Sequence, residues 1–294
     1  MMRWLHFVSV VVACVSTIAC VSSSRSSSAG GNGSDRTRAA DGASIAFRVA
    51  GNAHGDPTIV FVHGFGCDST FFDAAIAHVS QRRRVLAIDL PGHGEADAKR
   101  VNWTMEAFGD DVRRACDAIG AEHVILVGHS MGGPVILEAA REMSGRVLAL
   151  IPVDTFHDVD RKPTQAQIEQ LVETWRADFA GSASGTVRGS FHQPIRDPKY
   201  VDMVITKLTA MQRDVGLALL DSMFHYDVSE GLDSTTLPIR CINSAEVPTN
   251  LAAGRKYAKR FDVRTIPEVG HYLMLEDPEA FNALLDAAID ELAR

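Results

Sequence analysis

The 294-residue chain sets 29 Lys and Arg against 37 Asp and Glu, a formal net charge of −8 at pH 7. That acidity excludes the basic footprint that nucleic acid requires, so no nucleic-acid partner is expected. With 46% hydrophobic and 22% charged residues the chain is globular, neither a disordered tail nor a disulfide-dense miniprotein.

Arg3 precedes an almost uncharged apolar run from Trp4 to Ala19 that ends in small residues, the pattern of a secretion signal. The run is shorter than the about 20 apolar residues that a spanning helix needs. Ile18-Ala19-Cys20 resembles the end of a bacterial lipoprotein signal, with Cys20 as the lipidated residue. Val11-Val12-Ala13-Cys14 is a second match, but cleavage at Cys14 would leave a very short apolar segment. Residues 1–20 are therefore read as a signal peptide. Residues 21–34 are read as a tether, since positions 22–34 hold seven Ser and three Gly and bury too little apolar surface to order themselves. The expected location is exported and lipid-anchored to a bacterial membrane, facing the periplasm or the cell exterior. Residues 35–294 carry −10 once Arg3 and Arg25 are removed, so the lipid is the only membrane contact expected.

Beyond the leader, short branched apolar runs alternate with amphipathic stretches, which predicts an α/β fold with a mostly parallel sheet flanked by helices. The expected strands are Ser44 to Val49, Thr58 to Val62, Val85 to Ile88, His123 to Val127, Val147 to Val153, Ile239 to Ile242 and Val263 to Ile266. Helices are expected at Ser69 to Ser80, Met105 to Ile119, Gly132 to Met143, Thr249 to Arg260 and Pro278 to Leu292. About 83 residues separate Asp154 from Pro238, too many for a bare loop. Ile168, Leu171, Val172, Trp175 and Phe179 recur there at helical spacing. A second apolar stretch runs from Val201 to Phe224, so residues of about 155–237 are expected to form a helical cap within a domain spanning 35–294. Cys67, Cys116 and Cys241 have no C-x-x-C spacing that would suggest zinc or a redox pair, and read as buried thiols.

The expected strand at His123 runs into Gly128-His129-Ser130-Met131-Gly132 and then a helix, a G-x-S-x-G elbow in its strand-turn-helix setting. Its flanking glycines let helix and strand approach closely, while Ser130 is lifted above the sheet. A serine hydroxyl needs an adjacent base oriented by a third group. Gly270-His271, between the last strand and the final helix, supplies that base in the required chain order. His63-Gly64-Phe65-Gly66 follows the strand Thr58 to Val62. The Phe65 and Met131 N–H groups are the candidate donors for an oxyanion. His63 is expected to brace this loop, and His129 to be a packing neighbour.

These motifs, with Asp89-Leu90-Pro91-Gly92-His93-Gly94 and Glu276-Asp277-Pro278, resemble the α/β-hydrolase superfamily in its cap-bearing branch over nearly all of residues 40–294. The resemblance implies an α/β-hydrolase fold, a structural turn at Asp89 to Gly94, and no cofactor. Relatives that open epoxides or remove halogens carry Asp at the elbow, so Ser130 implies acyl transfer. Most relatives carry the triad acid as Gly-x-x-Asp after the strand that here ends at Ile242, where this chain reads Asn243-Ser244-Ala245-Glu246-Val247-Pro248. Two replacements remain, Asp154 at the end of the strand Val147 to Val153 and Glu246 in the loop. Asp154 is favoured because a strand end is the more rigid support. No metal-ligand spacing and no phosphate-cradling loop are found.

The expected activity is a serine hydrolase that cleaves small carboxylic esters with an apolar group, through an acyl-enzyme on Ser130. The same triad would serve a C–C bond hydrolase, a lactonase or amidase, or a perhydrolase. A non-catalytic binding protein of the same fold is the alternative outside enzymology.

Overall fold

The computed structural model of the chain describes residues 34–293; the two lipidation candidates, Cys14 and Cys20, lie outside them. Eight strands form one sheet: β1 (Asp35–Arg38), β2 (Ser44–Ala50), β3 (Thr58–Val62), β4 (Val85–Asp89), β5 (Val124–His129), β6 (Val147–Val153), β7 (Ile239–Ser244) and β8 (Phe261–Ile266). Their spatial order is β1-β2-β4-β3-β5-β6-β7-β8. β2 pairs antiparallel with β1 and β4, and every later pairing is parallel.

The alternation along β3 shows how the layers form. Ile59 and Phe61 face one apolar layer with Phe72, Val79, Phe281 and Leu285; Val60 and Val62 face the other with Phe108, Val112, Val135 and Ile136. Successive strand residues point to opposite faces. A strand covered on both faces reads as a continuous apolar run, as Val124 to Val127 does. β1 was not among the expected strands, because Asp-Arg-Thr-Arg has almost no apolar signal. It forms through backbone pairing with β2, Asp35 to Arg38 lying opposite Phe47 to Ser44, and its charged side chains suit an exposed edge.

The helices on the two faces are α1 (Asp73–Val79), α2 (Met105–Ala118) and α3 (Gly132–Glu142). Thr104 starts α2 by accepting from the Ala107 N–H at 3.2 Å. The helix expected from Ser69 begins as a 3₁₀ turn over Ser69–Phe72, where Asp68 and Asp89 carboxylates take the first amides. Between β6 and β7 the chain forms α4 (Gln165–Ala177), α5 (Phe179–Ser190), α6 (Pro198–Ala210), α7 (Arg213–His225) and α8 (Val228–Asp233). The first of these carries a Thr164–Gln167 capping box. α9 (Leu251–Tyr257), α10 (Leu273–Glu276) and α11 (Pro278–Leu292) complete the fold. Asp277 caps α11, whose Phe281, Leu285, Ala288 and Ile289 are buried along one stripe.

From β3 the chain crosses to β4 on one side and then returns past β3 to β5 on the other. Such a reversal leaves a crevice at the carboxyl ends of the two diverging strands, here β3 and β5. The loops at Gly64 and Ser130 leave from those two ends.

Candidate active site

Ser130 directly follows β5 and has φ of +52°, a region costly for any residue with a Cβ. Its N–H donates to the Val153 carbonyl at 3.0 Å, and its own carbonyl accepts from Gly133 N–H at 2.8 Å. The turn is tight because Gly128 and Gly132, two positions to either side, lack side chains. A methyl at Gly128 would lie 2.3 Å from the Gly132 carbonyl oxygen, and one at Gly132 would lie 2.5 Å from that of Val62. Ser130 remains half-buried while the residues around it on β5 and α3 are buried.

The loop after β3 lies against this elbow. A methyl at Gly64 would come within 3.0 Å of Ser130 Cβ and 2.9 Å of His129 Nδ1. The Gly64 carbonyl is occupied on one side by His63 Nδ1–H at 2.9 Å and Cys67 N–H at 3.1 Å. Leu90 N–H donates to His63 Nε2 at 3.1 Å, which assigns the His63 proton to Nδ1. Because the trans peptide sets N–H opposite C=O, Phe65 N–H points away from His63. Met131 stands at the N-terminal end of α3, where helix geometry leaves N–H groups directed outward. Phe65 and Met131, the two candidate oxyanion donors, stand on the two loops that leave the ends of β3 and β5. The Asp89 to Gly94 segment is a turn, with Asp89 accepting from Ser69 and Glu95 N–H groups at 2.7 and 2.9 Å.

His271 Nδ1–H donates to Asp154 Oδ2 at 2.7 Å. Asp154 follows β6 with φ of +47° and is 5% exposed. Its N–H donates to the Ile242 carbonyl at 2.9 Å, and its Oδ1 accepts from Ser244 N–H at 2.7 Å. β7 therefore grips the residue through both backbone and carboxylate. Glu246, the other candidate acid, instead accepts from His192 Nδ1–H. Burial alone would raise the Asp154 carboxyl; the His157 and His271 imidazoles beside it outweigh that and hold it well below the usual carboxylate range.

The His271 loop is fastened at several points. His271 N–H donates to the Ser190 carbonyl at 2.6 Å. The His271 carbonyl accepts from His129 Nε2–H at 2.9 Å, and the two rings lie 4.7 Å apart. His129 is thus more than the packing neighbour expected from sequence; burial, with His271 beside it, pushes its imidazole down to about 3 and keeps it neutral. Glu276 accepts from Gly270 N–H and His192 N–H, both at 2.9 Å, and burial raises its carboxyl.

The inserted helices close over these loops. Trp175 meets Phe65 edge-on at 5.8 Å, and Leu208 occupies the space a side chain at Gly66 would need. Lys207 pairs with the buried Asp68. Neither that pair nor the Glu276 bridge is legible in spacing, because each joins segments far apart in the chain. Cys67, Cys116 and Cys241 are buried free thiols; burial pushes Cys116 up to about 12 and raises the other two. Among the described residues no group of three or more His, Cys, Asp or Glu is arranged to hold a metal ion.

A serine on a strained strand-to-helix elbow, a histidine after the last strand paired with a strand-end carboxylate, and an eight-stranded sheet of this order are together those of an α/β hydrolase. The profile of the Alpha/beta hydrolase family matches residues 59–284, and the chain belongs to that family. The dihydrolipoyllysine-residue acetyltransferase component of an acetoin cleaving system from Cupriavidus necator is 35% identical over 267 residues, covering 84% of this chain and 67% of that protein. An uncharacterised Mycobacterium tuberculosis protein is 37% identical over 108 residues, 37% of this chain, and the match spans only 31% of that relative's length. In fold the chain is similar to a thermophilic esterase from Thermogutta terrifontis, with a TM-score of 0.75, 22% identity, and coverage of 88% of this chain and 100% of that one.

Proposed function

We propose that the protein is a serine hydrolase of small carboxylic esters, with Ser130 as nucleophile, His271 as general base and then acid, and Asp154 as the orienting carboxylate. The observation that carries the reading is the 2.7 Å His271–Asp154 hydrogen bond at the strand ends beside the Ser130 elbow. With its Nδ1 proton held by Asp154, His271 keeps the Nε2 lone pair to accept the Ser130 proton. The Ser130 oxygen then attacks the ester carbonyl, and Phe65 and Met131 N–H groups receive the oxyanion. Collapse expels the alkoxide, protonated by His271, and leaves an acyl group on Ser130. Water, deprotonated by the same imidazole, releases the carboxylic acid and returns the proton to Ser130.

The apolar contacts of the inserted helices on the loop after β3, Trp175 on Phe65 and Leu208 at Gly66, support an apolar acyl or alcohol group. The esterase likeness supports the ester class at the level of fold. The leader supports an exported protein held by a lipid on Cys20, or Cys14 in the alternative; Cys20→Ser should then move the protein from the detergent-requiring fraction, and unchanged fractionation would refute the anchor.

Intact-mass labelling of the full-length chain with a fluorophosphonate probe, wild type beside Ser130→Ala, tests the chemistry. One adduct on the wild type and none on the variant is expected. A folded wild type that takes no probe would overturn the reading and favour a binding protein.

A further inference from the structure

The carboxylate of Asp154 has two oxygens, and the proposed mechanism uses one. Oδ2 takes the His271 proton, while Oδ1 accepts from Ser244 N–H at 2.7 Å and is faced by a second imidazole, His157 Nε2 at 3.5 Å. This second ring is itself anchored. Its Nδ1 lies 3.2 Å from the Val247 carbonyl, and the His157 carbonyl accepts from Asn250 N–H at 2.6 Å. The buried Asn243 ties the same two loops, accepting from Thr155 N–H at 3.3 Å and donating to the Thr155 carbonyl at 3.1 Å and Thr249 Oγ1 at 2.9 Å. The segment after β7 thus holds His157 at Oδ1 of Asp154, while His271 meets Oδ2.

Both ring nitrogens of His157 face acceptors, so a neutral ring must oppose one lone pair to an oxygen. Opposing it to a full carboxylate charge costs more than opposing it to a neutral carbonyl, which assigns a proton to Nε2. Resting on the reading above, we propose that His157 is a positioning residue: its Nε2–H and the Ser244 N–H together fix the plane of the Asp154 carboxylate so that Oδ2 meets His271. Without His157, Oδ1 would keep the Ser244 N–H as its one donor, and the carboxylate plane, set by that bond and the one to His271, would be less closely fixed. His157 touches no substrate in this arrangement and acts only through Asp154.

The test uses the full-length chain. In ¹⁵N-histidine-labelled wild type, the His157 Nε2 signal, assigned by its disappearance in His157→Gln, should be that of a protonated nitrogen. A bare Nε2 would overturn the proposal whether or not any variant folds. His157→Phe, similar in volume, should slow fluorophosphonate labelling and lower kcat on p-nitrophenyl acetate roughly tenfold, the low end of what a hydrogen bond to a charged group contributes, since the contact is a long one at 3.5 Å. KM should stay within about twofold and the downfield His271 Nδ1–H resonance should move, because the loss falls on the transition state. His157→Gln, which can still present an N–H to Oδ1, should recover most of the rate. Equal rates for wild type and His157→Phe, or a glutamine variant as slow as the phenylalanine one, would refute the role. A wild type that takes no probe while its Nε2 is protonated would instead refute the hydrolase reading and leave the Asp154 clamp standing.

Discussion

Asp154→Asn separates the two candidate acids, and the structure specifies how the substitution should act. Asparagine tolerates the positive φ of this position, so the backbone has no reason to move. The new side chain has one oxygen, and the Ser244 N–H at 2.7 Å requires it at Oδ1. The amide NH₂ is thereby turned toward His271 Nδ1, a donor where an acceptor stood at 2.7 Å. The ring then accepts at Nδ1 and carries its proton at Nε2, the tautomer unable to take a proton from Ser130. Loss of the orienting carboxylate in triads of this kind costs on the order of 10⁴ in kcat, about 5 kcal/mol of transition-state stabilisation. Glu246→Gln leaves the Asp154–His271 pair in place and removes only the charge of a half-buried pair with His192, so a change of under about threefold is expected. The assay is the rate of fluorophosphonate labelling together with initial rates on p-nitrophenyl acetate, with thermal unfolding of each variant to show that it is folded. A folded Asp154→Asn that keeps a tenth of the wild-type rate, beside a Glu246→Gln that loses a hundredfold, would refute the reasoning.

Further expectations concern stability. Gly132→Ala sets a methyl 2.5 Å from the Val62 carbonyl and 2.9 Å from that of His63; since neither backbone group can yield freely, denaturant unfolding should show a loss of about 1–3 kcal/mol. Arg100 holds Asp111, which is 0% exposed, through two hydrogen bonds of 2.7 and 3.1 Å, so Arg100→Met should strand a buried carboxylate and cost about 3–5 kcal/mol in the same measurement. Burial, with His63 beside it, pushes the His93 imidazole down to about 3 from an ordinary 6.5. The unfolded chain therefore gains a proton below about pH 6.5 that the fold refuses, so stability is complete above that value and falls as the pH drops toward 3. Between pH 8 and pH 5 this group should remove roughly 2 kcal/mol; urea unfolding of His93→Gln should show a shallower decline, and a decline parallel to the wild type would refute the assignment.

Much of the fold was legible from local patterns. β3 to β6 read as branched apolar runs because each is covered on both faces, and α2 and α11 read as amphipathic stretches. The edge strand β1 did not, since pairing of its backbone with β2 needs no particular side chain. The helix expected from Ser69 starts there, but as a 3₁₀ turn whose first amides Asp68 and Asp89 take. At the site, Ser130 and the glycines around it could be read because a positive φ and a close strand–helix approach are demands made by adjacent residues on one another. His271 was legible from its place after the last strand.

The choice between Asp154 and Glu246 was of another kind. The two lie 92 positions apart in the chain, both near strand ends, and both are carboxylates. The parallel register of β6 on β7, Val153 opposite Ile242, puts Asp154 on the Ser244 amide and under His271, while the descent of the inserted helices brings His192 to Glu246. His157, Lys207 and Glu276 acquired their partners in the same way. Sequence by itself determined those features whose forces act between neighbours: strand, helix, elbow and the glycines they require. The partners of each charged side chain were decided only by tertiary structure, because a hydrogen bond depends on where two distant segments are brought together and leaves no periodic trace in either.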